Sequence, residues 1–293
     1  MGKYLIFDWG GTAVKYACSD ENGNLTGHGS FPTPESGLEA LLDQMRSVYE
    51  AASAAAPLAG IAISSPGAVD GKEGVVRGIS AISYIHEIPI VKMIRERLDG
   101  LPVSIENDAN CVALGEMWLG AAKGKRNFAS VVCGTGIGGA VVINGALYKG
   151  STNNGGEFGN FLVKQEEGEF RTWSQYTIVK QARKYKQATG RAVNGKELLR
   201  LAQENDETAV KLTNDFYEAM AVGCYNLQFT LDTELIVLGG GISESESLVT
   251  EIYKRMDILE KADRFAFLRP KLITGHFGSR ANLYGALYCH LNK

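Results

Sequence analysis

Two runs of β-branched and apolar residues each end in a glycine-rich turn, and they lie far apart in the chain. The first is Tyr4-Leu5-Ile6-Phe7-Asp8-Trp9-Gly10-Gly11-Thr12. The second is Val131-Val132-Cys133-Gly134-Thr135-Gly136-Ile137-Gly138-Gly139. Each reads as strand, tight turn, strand, with Ala13 to Cys18 after the first turn and Ala140 to Asn144 after the second. A turn without side chains lets backbone N–H groups crowd round an anion, and a neighbouring Thr adds a hydroxyl donor. Alone, each cluster reads as an ordinary hairpin turn. A third run, Leu235-Ile236-Val237-Leu238-Gly239-Gly240-Gly241, follows another strand, and together the three point to a nucleotide gripped from two sides. No segment has the spacing of a P-loop. A dinucleotide fingerprint also fails, because Ala140 to Ile143 is a strand running into an Asn144-Gly145 turn where that motif needs a helix.

The chain of 293 residues is long enough for two domains with a substantial core. Strands are expected over 3–8, 13–19 and 25–31, then a helix over 35–53, a buried strand over 58–64 and a hairpin over 68–76. A helix over 89–99, a strand over 102–106 and a helix over 108–121 complete the first half. The second half reads as strands over 128–133, 138–144 and 146–149, then helices over 173–188, 196–203 and 206–231. It closes with strand 234–238, helix 245–262, strand 271–276 and helix 281–291. The pattern β-β-β-α-β-α thus occurs twice, each copy opened by a glycine hairpin. The expected architecture is α/β, with duplicated domains and the ligand in a central cleft, where such sites prefer to lie. The N-terminal domain is expected over 1–120 plus the final helix at 281–293, and the C-terminal domain over 121–280.

Composition narrows the function. A net charge of −3 argues against a nucleic-acid partner. Five scattered cysteines without a Cys-x-x-Cys pair read as reduced, buried thiols. No apolar run approaches the ~20 residues that cross a bilayer, and the N-terminus has no secretory pattern, so a cytoplasmic protein with no membrane partner is expected. The 35 glycines cluster at strand ends, as turns and ligand loops do. The basic run Lys123-Gly124-Lys125-Arg126 reads as a solvated loop. The histidines are dispersed, and only His86 falls near the presumed ligand pocket. Trp173 could stack on a ligand ring, with helix packing the default expectation.

Ser104-Ile105-Glu106-Asn107-Asp108-Ala109-Asn110 runs from a strand end into a helix. Asp108 there could be a plain helix cap. Yet polar residues at the carboxyl end of a strand in an α/β protein occupy the usual ligand position. A carboxylate at that point can take a proton from a substrate hydroxyl, and Asn107 supplies donor and acceptor for sugar-type hydroxyls. Asp8, beside a phosphate turn, would repel phosphate directly and better suits holding magnesium through water.

These segments, with Lys15, Ser65-Pro66-Gly67-Ala68-Val69-Asp70, Gly156-Glu157-Phe158-Gly159 and Gly239-Gly240-Gly241-Ile242, resemble the successive motifs of the ROK family of repressors, open-reading-frame proteins and sugar kinases. The resemblance runs in order from residue 4 to about 288. It implies an actin/hexokinase-like (ribonuclease H-like) fold and transfer of the ATP γ-phosphoryl to a sugar hydroxyl, usually the 6-hydroxyl, with ATP and Mg2+ as cofactors. It implies Asp108 as catalytic base, with Gly67, Asn107, Glu157 and the residue at 160 (here Asn160) lining the sugar. It further implies Asp8, Gly10, Gly11, Thr12, Lys15, Gly134, Thr135, Gly136 and Gly138 around the phosphates, Gly239, Gly240 and Gly241 beside the nucleoside, and a homodimer. The family's regulators carry an N-terminal DNA-binding extension. With the first strand beginning by residue 4, the kinase branch is expected here.

The departures are informative as well. Family members commonly continue into a His and a cysteine-rich zinc loop, whereas this chain has Asn160 and no Cys or His in 161–175. No structural zinc is expected. The family's second sugar-facing Glu aligns with Ser174. Smaller side chains at the anomeric end would admit a substituent there, so the favoured substrate is a β-glucoside such as cellobiose. Glucose and N-acetylmannosamine are the alternatives, and a non-catalytic sugar sensor is the alternative class.

Overall fold

The computed structural model describes residues 2–166, 168–262 and 268–293. In chain order the elements are β1 (Lys3–Trp9), β2 (Ala13–Ser19), β3 (Leu25–Pro32), α1 (Leu38–Ala55), β4 (Leu58–Ser65), β5 (Ala68–Asp70) and β6 (Val75–Arg77). They continue with α2 (Ile90–Arg97), β7 (Val103–Asn107), α3 (Asp108–Trp118), β8 (Phe128–Cys133), β9 (Ile137–Ile143) and β10 (Ala146–Leu147). The remainder is β11 (Leu162–Glu166), β12 (Glu169–Thr172), α4 (Ile178–Thr189), α5 (Gly195–Gln203), α6 (Glu207–Leu231), β13 (Leu235–Gly239), α7 (Leu248–Ala262), β14 (Leu272–Thr274) and α8 (Ala281–Leu291).

The chain forms two compact units. Unit 1 comprises Met1–Gly124, Lys149–Gly155 and Arg280–Lys293, and unit 2 comprises Lys125–Tyr148 and Gly156–Ser279. Each is built on a five-stranded sheet, in the orders β3-β2-β1-β4-β7 and β10-β9-β8-β13-β14. The first three strands of each sheet are antiparallel and the last two join in parallel. The duplication read from the glycine hairpins is therefore a duplication of topology.

Burial follows strand alternation. In unit 1, Leu5 and Phe7 of β1 face Ile61, Ile63 and Ile105 together with α1 and α2, while Ile6 and Ala62 face α3 and α8. A strand covered on both faces must be apolar throughout, which is why β1 and β4 read as unbroken hydrophobic runs. Helices α3 and α8 cross closely through glycines. A Cβ on Gly115 would lie 2.6 Å from the Ala281 carbonyl oxygen, and one on Gly285 would collide with the Cys111 carbonyl. In unit 2, Val131, Ile236 and Leu238 pack beneath α4, α5, α6 and α7.

Several sequence expectations need correction. Residues 149–155, assigned to the second domain, pack with unit 1, where the Lys149 ammonium meets Glu106. The helix expected over 173–188 is a 3-10 turn at Trp173–Tyr176 followed by α4, since the Thr172 and Thr177 side chains each cap a separate start. The hairpin of β11 and β12 was not anticipated, its strands being too charged to show an apolar alternation. The helix expected over 245–262 is α7, which starts three residues later at Leu248, after a separate 3-10 turn at Gly241–Glu244. Helix α1 starts after Gly37, whose φ of 111° lies outside helical space, rather than at 35.

Candidate active site

In unit 1 the candidate residues gather at the carboxyl edge of parallel strands. Register places Asp8 of β1 beside Ser64 of β4, Ser64 beside Glu106 of β7, and Ser65 beside Asn107. Lys15 of β2 lies opposite Asp8. The carboxyl ends of parallel strands are where α/β sheets bind ligands.

Asp8 accepts a hydrogen bond from the Ser64 hydroxyl at 2.9 Å, and Asn282 donates to that hydroxyl at 3.2 Å and to the Asp108 carbonyl at 3.4 Å. Burial holds the Asp8 carboxyl above its ordinary pKa, although Ser64, Lys15 and Asn282 pull the other way. Beside it, Gly10 N–H donates to the Ala13 carbonyl at 3.1 Å and closes the turn, and Gly11 lies against Ala81. Gly11, Thr12 and Lys15 are exposed.

Asn107 is more committed than the sequence suggested. Its Oδ1 caps α3 by accepting Asn110 N–H at 3.0 Å, and its Nδ2 donates to the Gly67 carbonyl and to Asp108 Oδ1, each at 3.0 Å. An amide has two N–H donors and two acceptor positions. What remains for a sugar hydroxyl is the second acceptor position on Oδ1. Asp108 Oδ1 also accepts Ala109 N–H at 2.8 Å, so the carboxylate is oriented from two sides at the start of α3. Gly67 has φ of 99°, and a Cβ there would lie 2.8 Å from Val76 and 3.2 Å from the His86 ring. The His86 ring nitrogen Nε2 is 2.9 Å from the Ser80 hydroxyl.

In unit 2, glycines stand at the carboxyl ends of β8 and β13. Gly134 N–H donates to the Gly136 carbonyl at 2.9 Å, and the Thr177 hydroxyl donates to the Thr135 carbonyl at 3.2 Å. Gly138 is inside β9, opposite Val132, and so belongs to the ladder rather than the turn. Gly239 ends β13, and Gly240, with φ of 85°, passes so close to the Cys133 carbonyl that no side chain fits. Gly241 helps line a cavity of about 580 Å³ with Ile178, Val179, Leu199 and Ile242, while Lys196 and Glu244 form an ion pair of 2.9 Å among its lining residues. That size lies within the usual range for small-molecule sites.

Glu157 precedes a 3-10 turn at Phe158–Asn160 that packs on β9 through Phe158 and Gly139. Partial desolvation raises the Glu157 carboxyl above its ordinary pKa. Asn160 is exposed. Ser174 differs from its expected role. Its hydroxyl accepts Ile137 N–H at 3.0 Å, so it braces the glycine turn rather than simply vacating space. Trp173 is 1% exposed and stacks with Phe161, which makes it a core residue. The basic run is also structural: Lys125 and the Arg126 and Asn127 N–H groups converge on Glu234, depressing its pKa to about 2. Sequence reasoning missed Ser64, Asn282 and Thr177, because single polar residues in apolar or helical segments carry no motif.

Two α/β units sharing one sheet order, each with a glycine turn at its sheet edge, define an actin/hexokinase-like fold. The chain belongs to the ROK family, whose family model matches residues 4–292. It is 32% identical over 300 residues to a β-glucoside kinase of Listeria innocua, covering 99% of this chain and 98% of the relative. A ROK family protein from Streptococcus pneumoniae, solved in complex with sucrose, superposes with a TM-score of 0.89 at 32% identity, over 99% of this chain and 98% of that one. A ROK family glucokinase from Streptomyces griseus, solved with glucose and AMPPNP, gives a TM-score of 0.82 at 26% identity, with 98% of each chain covered.

Proposed function

We propose that this ATP-dependent carbohydrate kinase transfers the γ-phosphoryl group to the 6-hydroxyl of a hexose, with a β-glucoside such as cellobiose as the favoured acceptor. The observation that carries the reading is the orientation of Asp108. Its Oδ1 is held by Asn107 and by Ala109 N–H at the edge of the sheet. In the proposed reaction the Asp108 carboxylate takes the proton of the sugar hydroxyl. The hydroxyl oxygen then forms a bond to the γ-phosphorus as the bond to the β,γ-bridging oxygen breaks, and ADP leaves. Gly67, Asn107, Glu157 and Asn160 are assigned to the sugar. Gly10, Gly11, Thr12, Lys15, Gly134, Thr135 and Gly136 are assigned to the phosphates. Gly239 to Gly241 and the 580 Å³ cavity are assigned to the nucleoside.

Magnesium is assigned to the nucleotide phosphates with Asp8 behind water. Among the described residues no group of three or more His, Cys, Asp or Glu could hold a metal ion, and the magnesium assignment rests on the family resemblance and Asp8. Bound there, it would neutralise charge on the transferring group. The sequence of 161–175, without Cys or His, supports the absence of a zinc loop. A cytoplasmic homodimer remains the family expectation. No described helix is long and apolar enough to cross a membrane.

The β-glucoside assignment is supported by the name of the Listeria innocua relative and by two local features. The short, exposed Asn160 stands where other family members have a His. Ile79, 96% exposed, offers apolar surface beside Ser80, the residue bonded to His86. Ser174 no longer supports it, being engaged by Ile137. The test is product identification. Incubation with ATP, magnesium and cellobiose followed by NMR should show phosphate on C6 of the non-reducing glucose. Phosphate at any other carbon overturns the regiochemistry. Glucose or N-acetylmannosamine phosphorylated in preference restores a monosaccharide kinase, and sugar binding without ADP release indicates a sensor.

A further inference from the structure

The ammonium group of Lys149 lies 3.0 Å and 3.1 Å from the two carboxylate oxygens of Glu106 and 3.0 Å from the Val69 carbonyl. An ammonium has three N–H donors, and these three oxygens match them. The Glu106 side chain is 8% exposed and that of Lys149 24%, so the pair is largely removed from solvent. Each partner leads to a segment assigned above to the sugar.

Glu106 Oε1 also accepts Asn107 N–H at 2.8 Å and Asn110 Nδ2 at 3.0 Å, and so fixes the turn that carries Asn107 and Asp108. Val69 sits on β5, two residues beyond Gly67, whose carbonyl receives Asn107 Nδ2. The Lys149 carbonyl accepts Gly155 N–H at 2.9 Å and closes the loop 149–155, after which the chain runs directly into Gly156 and Glu157. One ammonium therefore ties together three stretches of unit 1.

We propose that Lys149 is a positioning residue for the acceptor sugar, acting through Glu106 and Val69 to hold the Asn107–Asp108 turn, the Gly67 loop and the 149–155 loop in mutual register. The proposal rests on the kinase reading above. Without the ammonium, Glu106 would be a buried carboxylate lacking its counter-charge, which drives the side chain to shift toward water. That shift loosens its hold on Asn107 N–H and Asn110. The Val69 carbonyl and the closed loop lose their anchor at the same time.

The experiment compares Lys149→Met, Lys149→Arg and the double variant Lys149→Met/Glu106→Gln with wild type. Kinetics are measured with ATP, magnesium and whichever of cellobiose, glucose and N-acetylmannosamine the wild type turns over fastest, alongside Tm. Lys149→Met should raise KM for the sugar and lower kcat, together by roughly the 10²-fold that a small misplacement costs. KM for ATP should be unchanged, because the residues bonded to the pair, Val69, Asn107 and Asn110, are not among those assigned to the nucleotide. Lys149→Arg should recover most of the loss. The double variant should regain wild-type Tm, having no bare buried charge, yet keep the raised sugar KM, because Val69 and the loop stay unpinned. If Lys149→Met does not fold, the double variant reads the same sugar KM. Wild-type sugar kinetics in either methionine variant, or a sugar KM that recovers with Tm in the double variant, overturns the proposal. A wild-type protein that releases no ADP with cellobiose, glucose or N-acetylmannosamine overturns the kinase reading and the proposal with it.

Discussion

Asp8 and Asp108 stand close to the same sheet edge but in different surroundings, and their variants should behave differently. Asp108 is exposed enough to meet a hydroxyl and is oriented through one oxygen. Asp108→Asn should lower kcat by roughly 10²–10⁴-fold while nucleotide binding, followed by fluorescence titration, is retained. Near-wild-type kcat would remove Asp108 from the mechanism. Asp8 is held above its ordinary pKa chiefly by burial. The folded state therefore keeps a proton on Asp8 to higher pH than the unfolded state does. Its contribution to stability is greatest below the ordinary value of 3.8 and is lost as pH rises through the raised folded value. Once pH exceeds that raised value the folded protein carries an unfavourable buried charge. Asp8→Asn retains an acceptor for Ser64 without that charge, so it should raise Tm relative to wild type increasingly as pH rises, while lowering magnesium-dependent kcat. A lower Tm would show that Lys15, Ser64 and Asn282 outweigh burial.

At the scale of elements, glycines mark where helices and turns meet at contact distance. Gly285 is on α8, and a Cβ there would enter the Cys111 carbonyl of α3. Gly285→Ala should therefore separate the two helices and lower Tm by several degrees, measured by thermal denaturation, a cost of about 1–3 kcal/mol for overpacking. An unchanged Tm would mean that the crossing can relax. The movement would also be felt by Asn282, one turn earlier on α8, whose side chain meets Ser64 and the Asp108 carbonyl. The strands β1, β4, β8 and β13 were legible in the sequence because they are apolar runs ended by turns or polar edges. Thr177 and Ser174 were not legible as ties to the glycine turn, because a hydroxyl bonded across some 40 residues leaves no local pattern. The β11–β12 hairpin was hidden for a related reason. It is braced largely by charge, with Lys164 on Asp215 and Arg171 on Glu169, and of its strand residues Val163 packs against the core.

At the scale of the whole molecule, the repeated sheet order was implicit in the twice-read β-β-β-α-β-α pattern, and the motifs around Asp8, Gly67, Asp108, Gly134 and Gly239 fall at the sheet edges as that pattern requires. The Glu106–Lys149 pair was not legible, because 43 residues separate partners that meet only after folding. The acceptor sugar is the least legible feature, since it depends on the few side chains around the anomeric end. Ser174 showed how one of those can be occupied elsewhere. The central claim is that this chain is a sugar kinase open at that end. Its most direct test is kcat/KM with saturating ATP and magnesium for cellobiose, glucose and N-acetylmannosamine, read by ADP release. The account predicts the highest value for cellobiose. A clear preference for either monosaccharide would contradict the open anomeric end, and no ADP release with any of the three would contradict the kinase itself.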